Sequence, residues 1–340
     1  MMLDAAIPTG FDIKLAHVSA QWTTEAPVVC CRFDPLGRYV FAGLESSTLN
    51  RFQLKDGKRI AMAGGHESWV FSLAFSKDGA KTFSGGGDGQ VTVWETASDT
   101  PKPLQKLAAH QGWIRAMGLS VDGKMLVTGG NDKAVRLWDS STLSPIRELS
   151  GHQSHIYSIA CHPDGQRVFS GDLMGVVNEW EISTGKLLGK FDAKSLHTYE
   201  GGQGVDFGGV RGLCVSADGK FISAGGLYKA TNPLGAVHEP IVLLFDTATR
   251  KQMKTQIAEG ITGGVIWKLA QVADGSMMGA CGGSNGGSLI FWKNDAEKPA
   301  FKFVLPSLAR DMDLHVDGLR VATGHHDRFV RITRLAAKQA

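Results

Sequence analysis

The chain is short of the features that would assign it a chemistry directly. Only five of its 340 residues are cysteine: Cys30, Cys31, Cys161, Cys214 and Cys281. Their number is odd, none has metal-type spacing, and each falls in an apolar, strand-like run. That argues against a disulfide framework and for small buried hydrophobes in a reducing compartment. An excess of one charge is also missing: 36 Lys and Arg stand against 33 Asp and Glu, a formal +3. Such a balance gives no case for nucleic acid as a partner through bulk charge. No apolar run is long enough to span a bilayer, and no basic stretch followed by an apolar core opens the chain. The expectation is a cytoplasmic protein without a membrane partner.

Glycine, in contrast, is abundant, at 43 residues. It clusters with Asn and Asp between short apolar runs, the pattern of many strands joined by tight turns. The clearest unit runs from His110 to Asp139, HQGWIRAMGLSVDGKMLVTGGNDKAVRLWD. It comprises a strand, a Val-Asp-Gly turn, a second strand, a Gly-Gly-Asn-Asp turn and a third strand ending Leu-Trp-Asp. Related units start at His66 and His152, spacings of 44 and 42, and Trp94, Trp138 and Trp180 keep the same intervals. Asp-Gly turns at Asp78, Asp122, Asp164, Asp218, Asp274 and Asp317, with Leu36-Gly37 as a degenerate first member, extend the series to seven. Apolar columns agree. Val28, Val70, Ile114, Ile156, Val210, Ile266 and Ala309 share one position, and Cys31, Leu73, Met117, Ile159, Leu213, Leu269 and Met312 another.

The period, the Gly-His and Trp-Asp dipeptides and the Asp-Gly turns resemble the WD-repeat family across essentially the whole chain. The resemblance implies an all-β fold: a seven-bladed β-propeller with four antiparallel strands per blade around a central channel. Residues 1–340 then form one unit with repeats at about 17–53, 66–95, 110–139, 152–181, 194–246, 260–293 and 306–335. After the third strand of repeat seven, near Phe329 to Thr333, too little chain remains for a fourth. Phe11, Ile13 and Leu15 alternate with polar residues, so strand 11–15 is expected to complete blade seven and close the ring. Closure leaves no open blade at the join.

Three stretches exceed the regular period: His17 to Val28, residues 195–209 and residues 227–240. Connections of this kind in a propeller rise from one face, two of them beside blade five. Long loops in compact folds tend to carry function.

The recurring set His66, Ser84, Asp88 and Trp94, then His110, Thr128, Asp132 and Trp138, has Ser-His-Asp composition. A catalytic triad has no reason to recur in successive repeats, whereas a structural brace does. In the family the matching residues form a buried hydrogen-bond chain. Repeat four has Met174 at the Asp position and repeat seven has Thr333 at the Trp position, so both are expected to rely on apolar packing. Gly282-Gly-Ser284-Asn-Gly286 fits a nucleophile-elbow pattern, but a strand-like run follows where a helix is needed. Gly85-Gly-Gly-Asp-Gly89 fails as a phosphate loop for the same reason. His325, His326 and Asp327 form a local cluster, read as Asp327 bracing a turn with His326 at its tip.

The candidate binding residues enter the first strand of each blade. Trp69, Trp113 and His155 share one position, and Phe71, Arg115, Tyr157, Arg211, Trp267 and Arg310 another, two residues on. Aromatic and Arg side chains dominate binding hot spots, and in WD-repeat proteins the matching positions line the upper face. The expectation is a non-catalytic scaffold for a protein or peptide partner, with no cofactor and no metal. The alternative is a metal-assisted hydrolase built from His197, Glu200, Asp206, His238 and Glu239 on the blade-five loops. A further expectation is that Lys268 and Asp311, equivalent positions of adjacent blades, pair across the blade boundary.

Overall fold

A computed structural model describes residues 7–202, 204–230, 239–261, 263–284 and 286–338. Seven four-stranded antiparallel sheets follow one another around a ring. Blade three shows the plan, with strands Ile114–Leu119, Met125–Gly130, Val135–Asp139 and Pro145–Leu149 running from the centre outward. Six sheets are consecutive in sequence; the seventh joins His17–Thr23 to Phe329–Arg334, Arg320–His325 and Ala309–Leu314.

The Asp-Gly turns place the repeats. In the turn after each innermost strand the glycine takes a left-handed backbone, φ from +67° to +81° at Gly37, Gly79, Gly123, Gly165, Gly219, Gly275 and Gly318. An L side chain there is strained. The preceding Asp accepts nearby donors, as Asp78 does from the Ala80 N–H at 3.0 Å and the Ser76 hydroxyl at 2.6 Å.

Cores form between neighbouring blades. Phe83 and Val91 of blade two meet Ile114, Leu126 and Trp138 of blade three; Val127, Val135 and Leu137 of blade three meet Ile156, Val168 and Trp180 of blade four. At about 25 cal/mol per Å² of buried apolar surface, these interfaces are the main source of stability. All five cysteines are free, and burial pushes the Cys30, Cys161 and Cys281 thiols up to about 12.

Ring closure by the N-terminal side is observed, but the expected strand was misplaced. Residues Ile13–Leu15 form a 3-10 turn, and only Phe11 bridges to Ala336. The closing strand is His17–Thr23, paired from His17↔Arg334 to Thr23↔Phe329. Trp22 secures it, stacking on Phe52 of blade one at 5.5 Å and 14°. Both segments alternate apolar and polar residues, so periodicity could not choose between them; Trp22 has an apolar slot to fill. The stretch from His17 to Val28 is therefore a blade strand and no insertion.

Beside blade five, the 195–209 stretch meets the described ends of the 227–240 stretch, whose residues 231–238 lie outside the described residues. Residues His197–Glu200 and Val205–Gly208 form a separate hairpin, and the second and third strands of blade five lengthen to Phe221–Tyr228 and Glu239–Asp246. Leu227, Ala230 and Val265 cluster there against Phe207 and Trp267.

Candidate functional site: an aromatic and arginine bowl at the channel mouth

One local irregularity builds the site. In six innermost strands the pairing register slips between two residues: Val28/Cys30, Val70/Ser72, Ile114/Ala116, Ile156/Ser158, Ile266/Lys268 and Ala309/Asp311. Such a β-bulge leaves one residue without a ladder partner and re-aims its side chain. The residues skipped are Val29, Phe71, Arg115, Tyr157, Trp267 and Arg310. They surround the upper end of the channel. Arg211 occupies the same place in blade five, just before the strand Gly212–Val215.

These side chains enclose a cavity of about 370 Å³. Trp69, Phe71, Trp113, Arg115, Tyr157, Arg211, Trp267 and Arg310 all line it. His155 does not line it, although burial and the Arg115 charge lower its pKa. Trp69 and Trp113 remain about two-fifths exposed, at 40% and 39%.

The contacts form a continuous arc over blades two to six. Trp69 lies 5.9 Å from Phe71, which stacks on Trp113 at 4.8 Å and 19°. The Arg115 guanidinium sits between Trp113 and Tyr157, 4.5 and 4.4 Å from their ring centres. Arg211 covers Tyr157 at 3.9 Å and reaches Trp267 at 5.5 Å. Each cation–π contact is worth about 0.5–2 kcal/mol, most where water is excluded. Asn131 on the next turn accepts from Arg115 Nε at 2.9 Å and orients it, and Trp267 Nε1 donates to the Gly282 carbonyl at 3.1 Å.

The opposite wall is ionic. Arg310 pairs with Glu45 of blade one. The expected Lys268–Asp311 pair is absent among the described ion pairs. Asp311 Oδ2 instead accepts from Arg32 Nη1 at 2.6 Å and from the Cys31 N–H at 2.9 Å, so it is satisfied by the following blade. Burial, then the Arg32 charge, lowers the pKa of Lys268, against the pull of Asp311 and Asp313.

The recurring polar set is a brace. His66 Nε2 meets Ser84 Oγ at 2.7 Å, Trp94 Nε1 donates to the same oxygen at 2.9 Å, and His66 Nδ1 lies 3.2 Å from Asp88. His110, Thr128, Trp138 and Asp132 repeat this at 2.7, 2.9 and 2.8 Å. Burial alone raises the Asp132 pKa, but the His110 and Arg136 hydrogen bonds outweigh it and hold the carboxyl well below its usual range.

Blade four corrects the expectation of a missing carboxylate. Asp172, two residues before Met174, accepts from His152 Nδ1 at 2.8 Å, while Ser170 and Trp180 complete the chain. In blade three that position is Gly130, where a Cβ would stand 2.5 Å from His110 Nδ1. In blade seven it is His325, whose Nδ1 donates to the Ser307 carbonyl at 3.0 Å while Nε2 meets Thr323 Oγ1 at 2.8 Å. The imidazole thus comes from the strand itself. Asp327 pairs with Arg331 at 2.7 Å, and His326 is exposed.

Of the blade-five alternative, His197 Nε2 meets Asp206 Oδ1 at 2.8 Å within the hairpin. Glu239 lies 3.9 Å from Lys229, and His238 is outside the described residues. Among the described residues no three His, Cys, Asp or Glu side chains gather as metal ligands. Gly282 and Gly283 end one strand and Gly286 opens the next, so the G-x-S-x-G run leads into a strand where a nucleophile elbow needs a helix. No helix among the described residues is long and apolar enough to cross a membrane.

The family model for the WD domain, G-beta repeat, matches three times, at residues 57–95, 101–139 and 143–175. No curated protein matches the chain. Three such repeats within a closed ring of seven four-stranded blades are consistent with the WD-repeat family of β-propellers.

Proposed function

We propose that this protein is a non-catalytic scaffold that holds a protein or peptide partner in the bowl at the upper mouth of its channel. WD40 propellers generally serve as protein-interaction scaffolds. What supports this location is the arc from Trp69 to Trp267, in which bulged strands project aromatic and guanidinium groups into one concavity. A rigid set of anchors keeps the ordering cost of binding low, and Trp, Tyr and Arg are the residues on which interface energy concentrates. The hairpin and lengthened strands of blade five extend the rim on one side.

The test is affinity capture with the wild type and a Trp113→Ala, Arg115→Glu variant, with melting midpoints measured in parallel. Loss of one specific partner with an unchanged midpoint supports the reading. An unchanged set of partners in a folded variant moves the binding surface elsewhere.

A further inference from the structure

The cavity carries a charge imbalance that the rest of the chain does not. Arg32, Arg115, Arg211, Lys268 and Arg310 line it, against the single carboxylate of Asp311. That is a formal excess of four positive charges at one site, in a chain whose whole excess is three. Three of these cations have carboxylates acting on them: Arg32 pairs with Asp311, Arg310 pairs with Glu45, and Asp311 and Asp313 both pull on Lys268. Arg115 and Arg211 differ. Among the described residues no carboxylate acts on either guanidinium; both lie against Tyr157, and the Arg211 charge also acts on Arg115. Burial, opposed by Tyr157 and assisted by the Arg211 charge, pulls Arg115 down to about 10, still charged at neutral pH. Arg211 is more deeply enclosed and its Nε has no hydrogen-bond partner. Ring faces partly offset the two charges but accept no N–H bond in the guanidinium plane.

Two guanidiniums lie against one tyrosine ring, 4.4 and 3.9 Å from its centre. Arg115 Nε is taken by Asn131 and Arg211 also bonds the Tyr157 side chain, but Arg211 Nε is unpartnered. With apolar walls around them, the two present a preformed seat for a planar anion. Guanidinium and carboxylate match in a two-pronged geometry, and such charge-assisted bonds are about twice as strong as neutral ones. Aromatic walls exclude water and strengthen the attraction further. Trp69, Phe71 and Trp113 continue from this seat along blades two and three, and they suit apolar residues flanking the anion.

We propose that Arg115 and Arg211 together bind the carboxylate of a Glu or Asp side chain in an acidic peptide partner. This rests on the reading that the bowl is the partner site, and it adds the chemistry that site selects.

The test uses the full chain and an immobilised peptide library with one fixed central residue, Glu, Asp, Gln, Lys or phosphoserine. The expected result is at least fivefold more binding to the Glu or Asp pools than to the Gln pool. That preference should disappear in both Arg115→Gln and Arg211→Gln, and added glutarate should compete it away. Equal binding to Glu and Gln pools, or preference for Lys, overturns the proposal; preference for phosphoserine alone overturns it in favour of a phosphate ligand. Thermal melts confirm that each variant folds, and Arg115→Lys, which keeps the charge but loses the fork, should retain part of the preference. The broader reading fails separately: Trp69→Ala, at a side chain that touches neither guanidinium, should weaken binding to every pool. If it does so while the two Arg variants change nothing, the bowl binds but does not select an anion.

Discussion

Replacing Asp172 by alanine should destabilise blade four as much as replacing Asp132 destabilises blade three, although Asp172 stands outside the repeat's usual carboxylate position. The His152 side chain has 0% exposure and that of Asp172 2%, so water cannot take over the lost contacts. Asp172→Ala leaves two donors stranded, His152 Nδ1–H at 2.8 Å and the Val176 N–H at 2.9 Å. Hydrogen bonds to a charged acceptor contribute about 1.5–3 kcal/mol each, and stranded donors cost similarly, giving roughly 3–5 kcal/mol. For 340 residues at about 2.1 cal/mol/K each, the midpoint falls by roughly 4–7 °C. Differential scanning calorimetry at neutral pH measures this, with Met174→Ala as the comparison, expected to shift the midpoint by less than about 2 °C. Hydrogen exchange should localise the loss to the strands Ile156–Cys161 and Arg167–Asp172. An Asp172→Ala midpoint within about 1 °C of wild type, with Asp132→Ala clearly lowered, would refute the equivalence of the two carboxylates.

His325, pulled down to about 4 by burial and then by the Arg331 charge, is neutral in the folded chain. An unfolded imidazole titrates near 6.5, so the unfolded state binds more protons between about pH 6.5 and 4. Stability is therefore full above about 6.5 and falls towards pH 4, by about 3 kcal/mol; His325→Gln should flatten that limb in denaturant melts across pH, and an unchanged slope counts against the assignment. Gly130→Ala places a Cβ 2.5 Å from His110 Nδ1 and should lower stability by about 2 kcal/mol in urea titrations, whereas Gly118→Ala, whose nearest neighbour would be at 3.8 Å, should be far milder. Trp22→Ala should cost about 2–3 kcal/mol by loosening the closing strand from Phe52. A similar loss from Leu15→Ala, a residue 49% exposed, would reopen the question of which segment closes the ring.

The propeller was legible because turn chemistry and apolar columns recur independently of each other. Seven left-handed glycines and seven buried first-column residues are enforced in every blade. The candidate site was legible as a list, since Phe71, Arg115, Tyr157, Arg211, Trp267 and Arg310 share a column. Its cause was visible too: Val70 and Leu73, or Ile114 and Met117, are three apart, an odd spacing that a regular strand would send to opposite faces. A bulge resolves it. What the sequence could not carry was partnership. Column adjacency suggested Lys268 with Asp311, but blade packing brings Arg32 closer. The rung supplying blade four's carboxylate depends on loop geometry, which Asp172 and Met174 satisfy in different ways. The closing strand is not distinguishable from residues 11–15 by pattern, because an outer strand is half exposed and both segments alternate.

The clasp of blade seven has a kinetic consequence. Ser19 Oγ bonds the Ile332 carbonyl across 313 residues of chain. Closing a loop of that length costs about 5 kcal/mol in chain entropy beyond the constant term, and non-local pairings of this kind form late. Until they do, Phe329–Arg334 presents a bare edge and His17–Thr23 is a strand without a sheet. In dilute solution each finds the other within its own chain. At high concentration during refolding, the same strand can be lent to a second copy, so yield should depend on how far apart the molecules are kept while the ring is still open.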